Sequence, residues 1–449
     1  MLVPRSRLLA WVAALVVPFA TLSGALPESA PMALTLVAAL VAAVLFDALL
    51  AFGGLEGLTV ESADIVRLSK DRPGEIDLRF QNPGRASRLL RIGLPLPREV
   101  ESSKEEILVE VPGQNQISRV RWECVPRKRG NYALERCHLE SASPFGFWSA
   151  RGALPLSSEL RVYPDLLKER KNVAALFLNR GSLGIHVQRQ AGKGRDFEKL
   201  REYIPGDAHE DIHWKATAKR GRPVTKIFQI ERTQEVYVIV DASRLSAREV
   251  ADPAAGSGAP RVSTLERCIN AALILALAAE RQGDLFGLVT FSDRVLGFVR
   301  ARNGQAHYRL CRDSLYTLQP QTVTPDYDEL FSFLRMRLRR RALLVFLTAL
   351  DDPLLAQSFT LNAGLICRQH LLLVNMVRPP GVRPLFTEAD AWKVDDLYQR
   401  LGGHLLWQSL LELGKNLQHH GVRFSVLENE KLSAEVVSQY MGVRRRQLL

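Results

Sequence analysis

The chain has 449 residues, of which 47% are hydrophobic and 24% are charged. These proportions are ordinary for globular proteins, so they exclude a disordered chain, a collagen-like fibre and a polytopic membrane protein. The 60 Lys and Arg residues outnumber the 48 Asp and Glu residues, and the net charge of +12 is spread along the chain. We expect a solvated surface near a membrane and no nucleic-acid partner, because no zinc-finger, RNA-binding or basic-zipper pattern accompanies the charge.

Two apolar segments open the chain. Residues 8–26 carry no charge, and a second apolar run covers residues 32–52 with Asp47 as its one charged residue. Each is about long enough to cross ~30 Å of hydrocarbon as a helix. Two prolines within residues 27–31 break the helix between them. The pattern predicts two membrane helices, with Asp47 as an interfacial acid.

Charge flanking the first apolar segment predicts the orientation. Arg5 and Arg7 precede that segment, and the linker between the two segments has no Lys or Arg. By the positive-inside rule, residues 1–55 form a transmembrane helix hairpin with both ends in the cytoplasm. The alternative is a signal peptide ending near Ala25, followed by one anchor, which would place the bulk of the chain outside.

The next segment alternates polar and apolar residues. Residues 76–80 have period two and end at a turn, and residues 120–124 and 132–139 alternate in the same way. Short strands with frequent turn signals predict a small all-β, sandwich-like domain over residues 56–165, which we expect to serve as a spacer.

A turn signal lies between two of these strands. If Gly130 and Asn131 form a two-residue hairpin turn, the register pairs Cys124 with Cys137. These two thiols would then be able to bond in an oxidising compartment. Five cysteines in a chain of this length do not make a disulfide framework.

The remainder of the chain has two parts, a signature linker at residues 166–230 and an α/β domain at residues 231–449. Strands are predicted at 235–241, 285–291, 295–299, 342–348, 371–377 and 423–427, and helices near 265–281, 305–318, 326–340, 354–369 and after 432. Apolar strands that alternate with helices predict a doubly wound α/β domain with a mostly parallel sheet.

Oxygen-bearing side chains follow the predicted strands of this sheet. Asp241 ends the first strand, Ser243 comes two residues later, and Asp351 lies just past another strand. Thr322 and Thr324 lie in a neighbouring loop. Because ligands bind at the carboxyl ends of strands in open α/β sheets, these hard oxygen ligands form a candidate Mg²⁺ site.

A structural role for the same residues is the alternative. Asp241 and Ser243 are also suited to capping the next helix or ordering its loop. Leu245 stands where another hydroxyl would complete an alternating Asp-x-Ser-x-Ser set. No cofactor is therefore certain, and Mg²⁺ is the one that these residues suggest.

A second metal motif is His209-Glu210-Asp211-Ile212-His213, which matches H-E-x-x-H. In metalloproteases, two histidines one helical turn apart bind zinc and the Glu acts as base. The context disfavours that interpretation, since residues 205–207 and 221–223 are rich in Pro and Gly and leave little room for a long helix.

Two runs of the linker carry a family resemblance. Residues 194–207 read GRDFEKLREYIPGD and residues 212–219 read IHWKATAK. Together with RGNY at 129–132 and PFGF at 144–147, they resemble the signature of the family called domain of unknown function 58. The resemblance covers nearly the whole chain, and the signature is long and specific.

The resemblance implies a von Willebrand factor A-like α/β domain against which the signature packs. It also implies a protein of the bacterial cytoplasmic (inner) membrane, with its soluble domains in the cytoplasm and a MoxR-type AAA+ ATPase as partner. In the implied metal site, this chain departs from the family pattern at Leu245, and it has Thr-Ala-Leu-Asp where Thr-Asp-Gly is usual. Metal binding is doubtful on that ground.

The signature also suggests a surface for partners. Acidic and basic residues alternate in it, and Tyr203 and Trp214 are large amphipathic anchors of the kind used at interfaces. The candidate partner-binding residues are Arg195, Asp196, Phe197, Arg201, Tyr203, Gly206, Asp207, Trp214 and Lys215. The alternative is that the same side chains dock the signature within the chain.

Two functions follow from these patterns. The first is a non-enzymatic, membrane-anchored adaptor or scaffold that works with the ATPase in the assembly or maturation of client proteins. The second is a metal-dependent hydrolase, with zinc at His209 and His213 or magnesium at Asp241. We expect the adaptor, with membrane lipid around its two N-terminal helices.

Overall fold

The computed structural model describes residues 1–25, 30–114, 116–167, 171, 191–204, 209–229, 234–250, 262–385 and 394–446. The chain divides into two compact units, Met1–Asp165 and Leu166–Leu449. Each unit has its own core, and they are described in turn.

Helices dominate the start of the first unit. They are α1 (Ser6–Trp11), a π-helical turn (Val12–Val16), α2 (Val17–Ala25) and α3 (Ala30–Ala51). The π-helical turn comes just before Pro18, which has no N–H and cannot continue the regular ladder. In the described residues, one helix, residues 31–51, is long and apolar enough to cross a membrane. The second span of the hairpin stays a prediction.

The rest of the first unit consists of β-strands. They are β1 (Leu2–Pro4), β2 (Thr59–Ser62), β3 (Ile65–Ser69), β4 (Gly74–Gln81), β5 (Arg88–Gly93), β6 (Val100–Glu101), β7 (Glu106–Val111), β8 (Ile117–Pro126), β9 (Gly130–Ala142) and β10 (Trp148–Tyr163). One sheet has the order β1-β10-β9-β5-β7, with β3 beside β10, and the other has the order β2-β4-β8-β6.

Both sheets contribute to one hydrophobic core. Alternate residues of β4 and β8 are buried, including Ile76, Phe80 and Trp122, and they share a cluster with Leu90 of β5 and Leu160 of β10. The period of two therefore sends one face of each sheet into the core and the other to the surface. This is the arrangement that the alternating sequence predicts.

The predicted hairpin around Gly130 is wrong. Strand β8 pairs with β4 and β6, whereas β9 pairs with β10 and β5, so the two strands lie in different sheets. The short connection between them crosses from one sheet to the other, and Gly130 begins β9 with φ of +150°. Cys124 and Cys137 are both buried, and both are free.

Asp47 of α3 is enclosed by the β-sheet part of this unit, and its interfacial position stays a prediction. Its Oδ2 accepts hydrogen bonds from Ser143 Oγ at 2.5 Å and from the Phe147 N–H at 3.0 Å, and its Oδ1 accepts one from the Phe145 N–H at 3.0 Å. The side chain is fully buried. The turn at residues 143–148 is thus fastened to the apolar helix by a carboxylate.

The second unit begins with a two-stranded sheet and continues into a mixed sheet. Its strands are β11 (Ala191–Glu202), β12 (Val224–Gln229), β13 (Glu235–Asp241), β14 (Glu249–Val250), β15 (Val262–Ser263), β16 (Leu285–Phe291), β17 (Val295–Arg302), β18 (Ala342–Leu347), β19 (Leu371–Val377) and β20 (Arg423–Leu427). Its helices are α4 (Trp214–Arg220), α5 (Thr264–Arg281), α6 (Gln305–Leu315), α7 (Tyr327–Arg337), α8 (Pro353–Ile366), α9 (Val394–His419) and α10 (Leu432–Arg446).

The six-stranded sheet has the order β17-β16-β13-β18-β19-β20. All neighbours are parallel except β16 and β17. Alternate residues of β13 divide between two buried clusters: Val236, Val238 and Val240 pack with α5, α6 and α10, whereas Tyr237 and Ile239 pack with α7, α8 and α9. Both faces are thereby covered, which explains why the strand is apolar at every central position.

Helix starts in this unit follow capping chemistry. Asp326 Oδ1 accepts the Glu329 N–H at 3.0 Å at the start of α7, and Asp352 Oδ1 accepts the Leu354 N–H at 3.0 Å at the start of α8. Pro353 occupies the first turn of α8, where its missing N–H costs no hydrogen bond. These caps orient the helices that leave the carboxyl edge of the sheet.

Candidate functional site

Asp241 is the centre of the polar cluster at the carboxyl edge of the sheet. It ends β13 and is 2% exposed. Its Oδ1 accepts the Ser243 N–H at 2.8 Å, and its Oδ2 accepts the Thr348 hydroxyl at 2.6 Å. Burial raises the pKa of this carboxyl above its ordinary value, and the hydrogen bonds from Thr348 and Ser243 partly oppose that rise.

The cluster extends through residues that the sequence analysis did not select. Tyr327 Oη lies 2.8 Å from the Thr348 hydroxyl and is fully buried, and burial raises the pKa of Tyr327 well above its ordinary value. Thr348 directly follows the apolar strand β18, which pairs with β13. The sequence did offer a signal for Thr348. It is a hydroxyl residue at the end of a predicted apolar strand, and parallel strands that lie side by side end at the same edge of the sheet.

The other candidate ligands are held by arginines. Asp351 Oδ2 lies 2.5 Å from Nη1 of Arg248. Thr324 Oγ1 accepts a hydrogen bond from Arg244 Nε at 3.2 Å, and Thr322 is exposed. The structure therefore brings Ser243 to Asp241, whereas Thr324 contacts Arg244 and Asp351 contacts Arg248.

This donor set does not fit a divalent cation. In the described residues, no group of three or more His, Cys, Asp or Glu side chains is placed to hold a metal ion. Both carboxylate oxygens of Asp241 already accept protein hydrogen bonds, and Asp351 pairs with Arg248 through Oδ2, while its buried Oδ1 has no hydrogen-bond partner in the described residues. Leu245 is buried and supplies no oxygen. The magnesium site stays a prediction that the geometry does not favour.

The signature linker contains an antiparallel pair of strands, β11 and β12, with a short helical excursion between them. We call β11, β12 and the described residues between them the signature hairpin. Val224 is fully buried in it, and the Val224 N–H donates to Thr217 Oγ1 at 3.0 Å. The excursion comprises a 3₁₀ turn, His209–Asp211, and the helix α4.

The two histidines of the zinc motif do not share a helix. His209 is in the 3₁₀ turn, and His213 is the N-cap of α4, where its Nδ1 accepts the Ala216 N–H at 3.1 Å. A zinc pair needs both rings one turn apart on one helical face. The His213 side chain of the motif thus has a structural role as the cap of α4.

Two aromatic residues of the signature hairpin, Tyr203 and Trp214, are the candidate interface anchors. Trp214, the first residue of α4, is 70% exposed, and Lys215 beside it is also exposed. Ile204 is 53% exposed, and the ring of Tyr203 meets that of His209 edge to face at 5.9 Å. We call these residues the Trp214 surface. Tryptophan is enriched at protein interfaces, which makes this exposed ring a candidate anchor.

The remaining candidate residues of the signature are only partly described. Arg201 is half-buried at the end of β11. Arg195, Asp196 and Phe197 have their backbone in β11, and their side chains lie outside the described part of the structure. Gly206 and Asp207 lie outside the described residues altogether.

Comparison with known proteins gives one family match. Residues 199–381 match the model of a family described as protein of unknown function DUF58. The match supports the DUF58 family for the stretch that runs from the signature hairpin into α/β structure, and the function of that family is unknown. No curated protein matches the chain.

Solved structures show only distant similarity. Proximal thread matrix protein 1 from the mussel byssus is 11% identical with a TM-score of 0.25, over 46% of this chain and 45% of that one. The conserved hypothetical protein BatB from Bacteroides thetaiotaomicron is 13% identical with a TM-score of 0.28, over 46% of this chain and 99% of that one. The present chain thus spans less than half the length of the mussel protein.

Proposed function

We propose that this chain is a membrane-anchored, non-enzymatic adaptor of the DUF58 type. It presents a von Willebrand factor A-like, doubly wound domain to protein partners and works with a MoxR-type AAA+ ATPase in the assembly or maturation of client proteins. The proposal includes an N-terminal transmembrane hairpin in the bacterial inner membrane, with the soluble units in the cytoplasm.

The exposed ring of Trp214 carries the proposal. Tryptophan is enriched among the residues that dominate binding energy at interfaces, and this one is 70% exposed at the start of a capped helix. Lys215 next to it adds a positive charge suited to an acidic partner.

The Asp241 cluster supports a non-enzymatic role. Its carboxyl group is enclosed by hydroxyl and N–H donors of the protein, so a substrate would have to displace them to reach it. Arg248 also occupies one oxygen of Asp351, the second acid of the candidate site. We infer that this edge of the sheet stabilises the shape of the domain.

The apolar N-terminus supports anchoring. Helix α3 presents large apolar side chains to the outside, among them Leu34 at 73% and Leu49 at 74% exposure. A bilayer would cover the exposed faces of such a helix, and the 21 residues from 31 to 51 are long and apolar enough to reach across its hydrocarbon. The resemblance of the signature to the DUF58 family supports the choice of partner.

The test is recovery of a MoxR-type ATPase with the full chain from detergent-solubilised membranes. We expect Trp214→Ala to reduce recovery at least about tenfold, the effect of losing an interface anchor. Ala preserves the helix, so the fold of the signature hairpin is retained. Tyr398→Ala is the matched control, because Tyr398 of α9 is an aromatic residue that is 69% exposed.

The outcomes separate the surface from the partner. Undiminished recovery with the Trp214 variant would remove the Trp214 surface from the proposal. Failure of the wild-type chain to recover the ATPase at all would overturn the partner. Equal losses in both variants would mean that the effect is not specific to the signature hairpin.

A further inference from the structure

Two arginines converge on one turn of the first unit. Gly146 has φ of +78°, and a Cβ built on it would lie 3.3 Å from Nη1 of Arg7 and 3.9 Å from Nη1 of Arg5. Both guanidinium groups therefore flank the same buried glycine. The Arg5 N–H donates to the Phe147 carbonyl at 2.9 Å, which fixes the start of the chain against this turn.

Neither guanidinium has an acidic partner in the part of the chain that the structure describes. Asp47, the acid beneath the turn, directs its oxygens to Ser143, Phe145 and Phe147. Arg7 is exposed, and Arg5 is half-buried. Asp47 supplies one negative charge beneath the turn against two cations above it, so a net positive charge remains that favours an anion between the two guanidinium groups.

The surroundings of the two arginines are apolar. Phe145 of the same turn is 56% exposed and lies 6.5 Å, centroid to centroid, from Phe46 of α3, which is 55% exposed. The Trp148 indole N–H donates to the Val44 carbonyl at 3.0 Å. Residues 143–148 therefore contact α3 at Val44 as well as at Asp47. Aromatic rings beside cations at the end of an apolar helix match the interfacial layer of a bilayer.

We propose that Arg5, Arg7 and the 143–148 turn form a binding site for the headgroup phosphate of an anionic phospholipid, with Phe46 and Phe145 in the adjoining acyl region. The inference rests on the proposed membrane anchoring and adds a specific lipid contact to it. The Asp47 hydrogen bonds hold the turn against α3, and Gly146, which has no Cβ, lies beside both guanidinium groups.

The experiment measures lipid retention by the full chain. The protein is purified in detergent micelles that contain equal phosphatidylglycerol and phosphatidylcholine, and bound lipids are counted by native mass spectrometry. The double variant Arg5→Gln/Arg7→Gln is compared with Arg119→Gln/Arg136→Gln, which removes two exposed arginines from β8 and β9 of the same unit. The two double variants carry the same net charge.

We expect the wild-type chain and the Arg119/Arg136 variant to retain phosphatidylglycerol about tenfold more than the Arg5/Arg7 variant, as for the loss of a charge-assisted contact. Equal retention in all three would overturn the site. Loss of the bound lipid on addition of inorganic phosphate alone would show a free-anion site and overturn the choice of lipid.

A separate measurement tests the anchoring itself. Alkaline extraction of membranes should leave the wild-type chain in the pellet. Release of the chain would overturn the membrane anchor, and the lipid site with it, whereas retention together with equal lipid binding by all variants would overturn the lipid site alone. Phosphatidylglycerol lost equally from both double variants would show that net charge, and not this turn, governs binding.

Discussion

Each unit of this protein has a buried aspartate whose two oxygens accept hydrogen bonds from the chain, and we call each set of donors a cage. The two cages differ in which parts of the structure they join. Asp47 accepts two N–H groups and one hydroxyl from a turn of the β-sheet unit, so it fastens an apolar helix to a sheet. Asp241 accepts one N–H group and one hydroxyl at the edge of the mixed sheet, so it joins neighbouring parts of one domain.

The difference teaches that a carboxylate at the end of an apolar segment is not by itself a ligand site. Both acids follow runs of hydrophobic residues, and both suggested roles toward something outside the protein. In the fold, each oxygen meets a donor of the chain itself, because a buried carboxylate without donors is very costly. The number and type of donors then set how strongly each acid holds its surroundings.

The largest expected effect tests the cage in the first unit. Asp47→Ala leaves two N–H groups and the Ser143 hydroxyl without an acceptor, and we expect a loss of about 3 kcal/mol or more in stability. Calorimetry of the full chain in detergent measures it. Asp77→Ala is the control, since Asp77 is exposed on β4. Equal melting of the two variants would contradict the bracing role of Asp47.

Asp241→Ala should have a smaller effect, about 2 kcal/mol, because one N–H group and one hydroxyl lose their acceptor. Asp241→Asn keeps one acceptor oxygen but turns an NH2 group toward the other donor, so we expect an intermediate loss of about 1 kcal/mol. The unfolding transition of the second unit measures both. If Asn were as harmful as Ala, the charge at this position would be essential, which the cage does not predict.

The pH dependence sharpens the contrast further. Burial raises the folded-state pKa of Asp241, so the folded state binds the proton more tightly than the unfolded chain. This contribution to stability is fully present below the unfolded pKa of about 3.9 and is lost as pH rises through the folded pKa. Relative to Asp241→Asn, the wild-type chain should lose stability as pH rises; a parallel course of the two melting curves would contradict the shift.

The smallest effects concern metal and the neighbouring ion pair. Arg248 is 39% exposed, so Arg248→Gln should cost below about 1 kcal/mol.

Added Mg²⁺ or Zn²⁺ should leave the melting temperature of the wild-type chain unchanged, because a ligand that binds only the folded state would raise it. A rise with Zn²⁺ that disappears in His213→Ala would instead support the hydrolase.

Local patterns predicted much of the architecture. The strands β13, β16, β17, β18, β19 and β20 and the alternating strands of the first unit follow from periods that neighbouring residues carry, whereas the two-residue strands β14 and β15 were not predicted. The hairpin at Gly130 failed because a turn signal does not say which sheet the next strand joins. Strand β9 finds β10 and β5 rather than β8, since the core is filled from both sheets.

The candidate sites were less predictable, for a similar reason. Asp241 and Ser243 are two residues apart, and their contact follows from a local loop. Tyr327 and Thr348 complete the cluster from other elements, and no local pattern marked the Arg248 that pairs with Asp351. The exposure of Trp214 likewise depends on what surrounds it in space, which composition does not reveal.

The amino-acid sequence alone determined the order of the segments: an apolar start, alternating strands, a signature of mixed charge, and buried strands between helices. Tertiary structure decided the partners of the buried acids. Ser143 lies 96 residues from Asp47, and Thr348 lies 107 residues from Asp241. Periodicity reports contacts within a turn of helix or a strand, whereas these donors meet their acceptors only once distant segments have packed.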